Sequence, residues 1–196
     1  EHFKDESTGL TLDGVEIKIN QPDKDGIGEI YSRGPNNMLG YYKNEKATEE
    51  TFENDWCKTG DLRYFDEDGF LYICGRKKKV INANNGEYVY PEEIEDILNR
   101  NQFVLECLVF GEKDEKHDER IAALIVPDTS SFIEYSSRNN IQITPEVVDQ
   151  YISKAVKETN NQLVAFKQIK KYYIRENEME KTTTQKIKRH LAIKVA

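Results

Sequence analysis

Four stretches of this sequence hold residue types, at spacings, that could do chemistry. Thr59-Gly60-Asp61 sets a carboxylate on a tight turn ahead of a hairpin. A carboxylate has two oxygens and can accept both hydroxyls of a ribose, although Asp after Gly also serves as an ordinary turn cap. The basic run "RKKK", Arg76 to Lys79, carries four cations in a row and by itself reads as a solvated run. The stretch "NANNGEYVYP" holds Gly86 in "NNGE", by itself an ordinary turn. The tail carries "KTTTQKIKRH", residues 181–190, basic and rich in hydroxyls. Taken singly, each reads at least as well as a turn or a solvated face.

The elements that must position these residues follow from periodicity. "DGVEIKIN" alternates Val15, Ile17 and Ile19, the period of a strand, and "GEIYSRG" is a second strand between glycines. "LRYFDEDGFLYICG" is a hairpin with its turn at Asp68 and Gly69. "KNEKATEETF" reads as a short surface helix. "YPEEIEDILNRN" then starts a helix: Pro91 suits the first helical position, Glu92 and Glu93 face the positive dipole end, and Ile94, Ile97 and Leu98 form one stripe. "FVLECLVFG" and "RIAALIVPD" are strands, the second a fully buried one. Thr144 caps a helix whose face is Val148, Ile152, Ala155 and Thr159. "IKKYYIRE" is a third strand, and Ile187, Leu191 and Val195 mark a last helix. All glycines lie at or before Gly111, so turns crowd the first half. The expected class is α+β. A small β-rich, distorted barrel-like subdomain occupies 1–76 and a helix-covered small-sheet domain occupies 77–196, with the boundary near "CGRKKKV".

Bulk composition narrows the classes. With 37% hydrophobic and 33% charged residues, the 196-residue chain is polar but foldable. No apolar run approaches the roughly 20 residues that span a bilayer. "EHFKDESTG" lacks the apolar core of a signal peptide. Cys57, Cys74 and Cys107 are isolated, and His2, His117 and His190 are scattered, so neither a zinc site, a disulfide framework nor a triad is expected. The net charge of −8 conceals a basic tail: residues 167–196 hold nine Lys or Arg against three Glu. A nucleic-acid role for that tail is the weakest of the readings, because a few cations equally suit a phosphorylated small molecule.

As an ordered set, "GEIYSRGPNNMLGYYKNEKATEETF", "WCKTGDLRYFDEDGFLYICGRKKKV", "INANNGEYVYPEEIE" and "KTTTQKIKRH" resemble the carboxy-terminal part of the adenylate-forming enzymes. That superfamily comprises acyl-CoA synthetases, luciferases and peptide-synthetase adenylation domains. The likeness is nearest to bacterial long-chain fatty acid–CoA ligases and covers almost the whole chain. It implies that Asp61 holds the ribose hydroxyls of ATP and of the acyl-adenylate. It implies that Arg76 contacts the same ribose or its phosphate, for which a guanidinium fork suits better than an ammonium. Lys79 falls at the hinge, commonly Asp and sometimes Lys, about which the C-terminal domain swings between two catalytic states. Gly86 falls on the loop that lines the thiol tunnel in the second state, and Lys186 on the catalytic lysine of the first.

The resemblance implies an AMP-forming acid–thiol ligase acting on a carboxylic acid, a fatty acid in the nearest likeness, with ATP, Mg²⁺ and coenzyme A as cofactor and co-substrates. It implies a cytoplasmic protein, with peripheral membrane contact open, and no nucleic-acid partner. The phosphate loop, the adenine-binding segment and most of the acyl pocket are not in these 196 residues, so an inactive C-terminal portion of a longer enzyme is expected. The alternative is a stand-alone binding or regulatory module. One position departs from the pattern: Gln185 stands where the superfamily usually has Gly before its lysine.

Overall fold

The computed structural model describes residues 3–82, 87–113 and 119–193. They form two compact units, Glu1–Lys79 and Val80–Ala196.

The first unit is an antiparallel sheet built on one long strand. Strands β1 (Glu16–Asn20) and β2 (Gly28–Arg33) precede helix α1 (Glu45–Thr51), β3 (Phe52–Glu53), β4 (Trp56–Phe65) and β5 (Leu71–Arg76). The order is β1-β2-β4-β3, with β5 also on β4. Both β2 and β5 pair with β4 at Leu62 and Arg63, so they hold opposite edges; β3 pairs at Cys57, opposite β2. β3 and β5 therefore share one edge of β4 and leave a gap between them at 58–60. The hairpin forms where the sequence places it. Asp66 Oδ1 accepts from the Asp68 and Phe70 amides at 3.0 and 2.9 Å, and Gly69 takes the left-handed conformation that closes the turn. Ile30, Tyr31, Leu62, Phe70 and Leu71 fill the core.

The second unit has a sheet covered on both faces. Its elements are β6 (Ile81–Asn82), β7 (Tyr88–Val89), α2 (Pro91–Leu98), β8 (Val104–Lys113), β9 (Glu119–Pro127), α3 (Thr129–Asn139), α4 (Pro145–Asn160), β10 (Lys171–Ile174) and α5 (Arg189–Ala192). The sheet runs β10-β9-β8, with β10 parallel and β8 antiparallel to β9. Alternate residues of β8 and β9 serve two cores. Val104, Cys107, Val109, Ile121, Ala123 and Ile125 pack against Ile94, Leu98 and Ile152 of α2 and α4. Leu108, Phe110, Ala122, Leu124 and Val126 pack against Met179 and Ala192 of the tail, with Ile187 beside them. That double burial is why "RIAALIVPD" has no polar alternation. Each fully buried Leu or Ile contributes roughly 1.5–3 kcal/mol.

The fold is the α+β class expected, with two local differences. The apolar pattern contains no signal for α3, which buries only Phe132 among its side chains. Its markers are polar: Asp128 caps the first amides and Asn140 ends the helix in the left-handed region. The expected tail helix is shorter, since Ile187 lies in an antiparallel bridge with Lys181 instead of on α5. Val195, the third residue of that expected helix, lies outside the described residues. Among the described residues no helix is long and apolar enough to cross a membrane.

Candidate active site

In the first unit, two β-bulges bring Asp61 and Arg76 face to face. Between β4 and β5 the register gains one residue at Cys74, so that Asp61 pairs with Arg76 instead of Gly75. Between β2 and β4 it shifts again across Thr59-Gly60-Asp61. The tight turn expected there is thus an irregularity inside a continuous strand. Gly60 has φ +73°, a conformation that a side chain would strain. Thr59 fixes the bulge: its hydroxyl donates to the Ile30 carbonyl at 2.9 Å and accepts from the Asp61 amide at 3.1 Å.

Arg76 Nε lies 2.7 Å from Asp61 Oδ1, and its Nη1 donates to the Thr59 carbonyl at 3.2 Å. On the other oxygen, Arg63 Nη2 stands at 3.9 Å. The carboxylate therefore keeps acceptor capacity on Oδ2. An open cleft of about 480 Å³ runs beside the gap in the β4 edge, lined by Lys58, Thr59, Gly60, Arg76 and Lys77 among others. Glu29 is buried under it and takes Lys77 Nζ at 2.8 Å, which holds the Lys77 ammonium above its ordinary value. Lys79 ends a single 3₁₀ turn, Lys77–Lys79, at the last residue of the first unit. Gly86 lies outside the described residues.

In the second unit, Lys186 sits on a small hairpin. The Thr182 amide donates to the Lys186 carbonyl at 2.8 Å, the Lys186 amide to Thr182 Oγ1 at 3.2 Å, and the Lys188 amide to the Glu180 carbonyl at 2.7 Å. The loop has three residues with the left-handed one last, a hairpin geometry that favours Gly at that point. Gln185 occupies it with φ +60°. A glycine before the lysine would relieve that backbone, and in this chain a glutamine side chain bears the strain.

The other lysines and the arginine of the stretch 181–190 are engaged. Lys181 Nζ reaches Glu106 at 2.9 Å and Glu178 at 2.8 Å; those carboxylates, Glu106 foremost, hold its ammonium well above the usual lysine range. Arg189 pairs with Glu95 at 2.8 Å, and Lys188 with Glu180 at 3.5 Å. Lys186 is exposed, and among the described residues its ammonium has no ion-pair partner. By sequence alone Lys181, Lys188 and Arg189 have no assigned chemistry, and Glu95 and Glu106 are not singled out. The one signal in the sequence is Glu106 itself, a lone carboxylate inside the apolar run "FVLECLVF". Among the described residues no group of three or more His, Cys, Asp or Glu could hold a metal ion.

The fold is that of the adenylate-forming enzymes. An o-succinylbenzoate CoA synthetase from Bacillus subtilis, solved with its acyl-adenylate intermediate, superposes with a TM-score of 0.73 at 29% identity, covering 95% of this chain and 35% of that one. An anthranilate CoA ligase solved with anthranoyl-AMP gives 0.75 at 27% identity, covering 97% and 35%. The chain belongs to the AMP-binding enzyme C-terminal domain family, whose profile matches residues 78–195. It is 40% identical over 127 residues to a 2-succinylbenzoate–CoA ligase of Bacillus cereus, covering 61% of this chain and 26% of that protein. It is 35% identical over 164 residues to an oxalate–CoA ligase of Arabidopsis thaliana, covering 84% and 28%. The chain thus spans about a quarter of the length of these curated relatives.

Proposed function

We propose that this chain is the C-terminal portion of an AMP-forming carboxylic acid–CoA ligase. In this reading residues 1–76 complete a larger nucleotide-holding domain, and 77–196 are the mobile catalytic domain. The observation that carries it is the exposed ammonium of Lys186, unpaired among the described residues, on a hairpin whose neighbouring cations are tied down.

Adenylation brings a carboxylate against the α-phosphate of ATP, two anions that repel. An ammonium placed between them offsets that repulsion and stabilises the in-line transition state. At about 4 Å and an effective dielectric near 20, one such pair is worth roughly 4 kcal/mol, or several hundredfold in rate or more. Lys186 is suited to this because no carboxylate among the described residues already neutralises it. In the same reading Asp61 accepts the ribose hydroxyls through its uncommitted oxygen, while Arg76 orients it. Lys79 is the hinge, supported by the division of the chain directly after it. Gly86 belongs to the loop that serves the thiol step.

The acid is proposed only as a carboxylic acid. The curated relatives are named for 2-succinylbenzoate and oxalate, and the structure solved with anthranoyl-AMP for anthranilate. A long-chain fatty acid, the nearest likeness of "GRKKKVINANNGEYVYPEEIE", is one candidate, to be set against those in a competition assay. ATP and coenzyme A are the co-substrates of this reading.

The test is to separate the half-reactions. In the complete ligase, Lys186→Ala should abolish ATP–pyrophosphate exchange and largely spare thioester formation from supplied acyl-AMP. Equal loss of both would exclude Lys186 from a role specific to adenylation. The 196-residue chain alone should show no exchange.

A further inference from the structure

We infer that Glu106, together with Glu95 of α2, is a positioning residue that holds the Lys186 hairpin against the sheet. The inference rests on the role proposed for Lys186 and extends it to residues that touch no reactant.

Glu106 lies on β8, on the sheet face covered by the tail, and its side chain is only 10% exposed. Both of its oxygens are committed to the first arm of the hairpin. Oε1 accepts the Met179 amide at 2.5 Å, and Oε2 meets Lys181 Nζ at 2.9 Å. Met179 itself is buried in the tail-side core. The second arm is held by Glu95 of α2. Its Oε1 accepts the Val109 amide at 2.7 Å and takes Arg189 Nη1 at 2.8 Å, while Arg189 Nη2 donates to the Val109 carbonyl. One carboxylate therefore fixes the strand that enters the loop, and the other fixes the chain that leaves it.

Two buried carboxylates are an expensive way to attach a surface hairpin, because each must be taken out of water. Apolar contacts from Met179, Ile187 and Ala192 already supply adhesion. What the charged contacts add is direction and register: an amide and an ammonium can meet a carboxylate in few arrangements, whereas apolar contacts can slide. Lys186 is five residues from Lys181 and three from Arg189, so a shift at either anchor is passed on to its ammonium. A displacement of about 1 Å at a reacting group can cost on the order of a hundredfold in rate.

The test uses the complete ligase with Glu106→Ala, Glu106→Gln and, for reference, Lys186→Ala. Glu106→Ala should slow ATP–pyrophosphate exchange by about tenfold to a hundredfold. It should leave thioester formation from acyl-AMP within about twofold of the parent. Glu106→Gln keeps an acceptor for the Met179 amide and should lose less. In the 196-residue chain, both variants should speed hydrogen exchange at the Thr182 and Lys186 amides more than at β9. Equal loss in both half-reactions, or no loss in either, overturns the inference. Should Glu106→Ala fail to fold, Glu106→Gln and Lys181→Met, which removes only the ammonium, decide it by the same split. If Lys186→Ala itself shows no selective loss, the underlying reading fails and the positioning role with it. If Lys186→Ala is selective and the Glu106 variants are not, only the positioning role fails.

Discussion

Asp61 and Arg76 oppose one another across β4 and β5, with Nε 2.7 Å from Oδ1, because a bulge at Cys74 shifts the register by one residue. Arg76 is half exposed, so the pair itself contributes at most about 1 kcal/mol to stability. Its geometry has a different consequence. Arg76 turns the carboxylate while leaving Oδ2 open to a second donor. Asp61→Asn and Arg76→Lys should therefore leave the melting temperature of the chain within a few degrees, and in the complete ligase raise KM for ATP about tenfold or more. For Arg76→Lys the charge survives and the fork is lost. Unchanged KM values in both variants would sink the ribose role.

Much of this arrangement is legible in the sequence, and the gaps have physical causes. The strands and the helices α2 and α4 announce themselves because one-dimensional periodicity maps onto buried faces. Asp61, Arg76 and Lys186 stand out only as an ordered set, since each alone resembles a turn or a solvated charge. The bulge that pairs Asp61 with Arg76 is invisible, because register depends on which strands meet. The roles of the carboxylates Glu95 and Glu106 are hidden because their partners, Arg189 and Lys181, lie 94 and 75 positions away along the chain. Helix α3 lacks an apolar stripe and shows only its polar ends.

Gln185 holds a left-handed backbone in a loop that favours glycine there. That conformation costs a non-glycine residue roughly 1–2 kcal/mol. Glycine gives back part of the gain through its freer unfolded chain, up to about 1 kcal/mol. Gln185→Gly is therefore expected to stabilise the second unit by up to about 1 kcal/mol, as read by urea unfolding. Gln185→Val should destabilise it by more than about 1 kcal/mol, since a β-branched side chain fits that region worst. Equal stability of the three proteins would remove the strain argument.

Leu105 and Leu108 sit three residues apart on β8 with opposite environments. Leu108 is 0% exposed in the tail-side core, whereas Leu105 is 47% exposed. Leu108→Ala should cost about 2–5 kcal/mol of unfolding free energy, since the close-packed sheet cannot collapse onto the space. Leu105→Ala should stay within about 0.5 kcal/mol. Chemical unfolding of both variants checks the contrast, and similar losses would mean that Leu105, at the register shift between Val104 and Glu106, is not turned to solvent.

Glu95 gives stability a pH dependence of unusual sign. Burial pushes its carboxyl above the ordinary glutamate range, and the Arg189 guanidinium only partly offsets that. The unfolded chain should titrate this group near 4.3. Between that value and the raised one, the folded state holds the proton more tightly than the unfolded state. Rising pH then removes stability, by at most about 1.4 kcal/mol per pH unit from this group. Other carboxylates act oppositely; Glu112, held low first by the Tyr173 hydroxyl and then by Lys171 and Arg120, loses stability on acidification. Comparison with Glu95→Gln isolates the one residue. Near pH 4 the two proteins should be close in stability. As the pH rises toward 7, the parent should fall relative to the variant and then level off. A parent that gains on the variant over that range would mean that Arg189 outweighs burial. The expected direction instead makes the Glu95–Arg189 pair a device that fixes the tail's register at a cost in stability, as buried ion pairs often do.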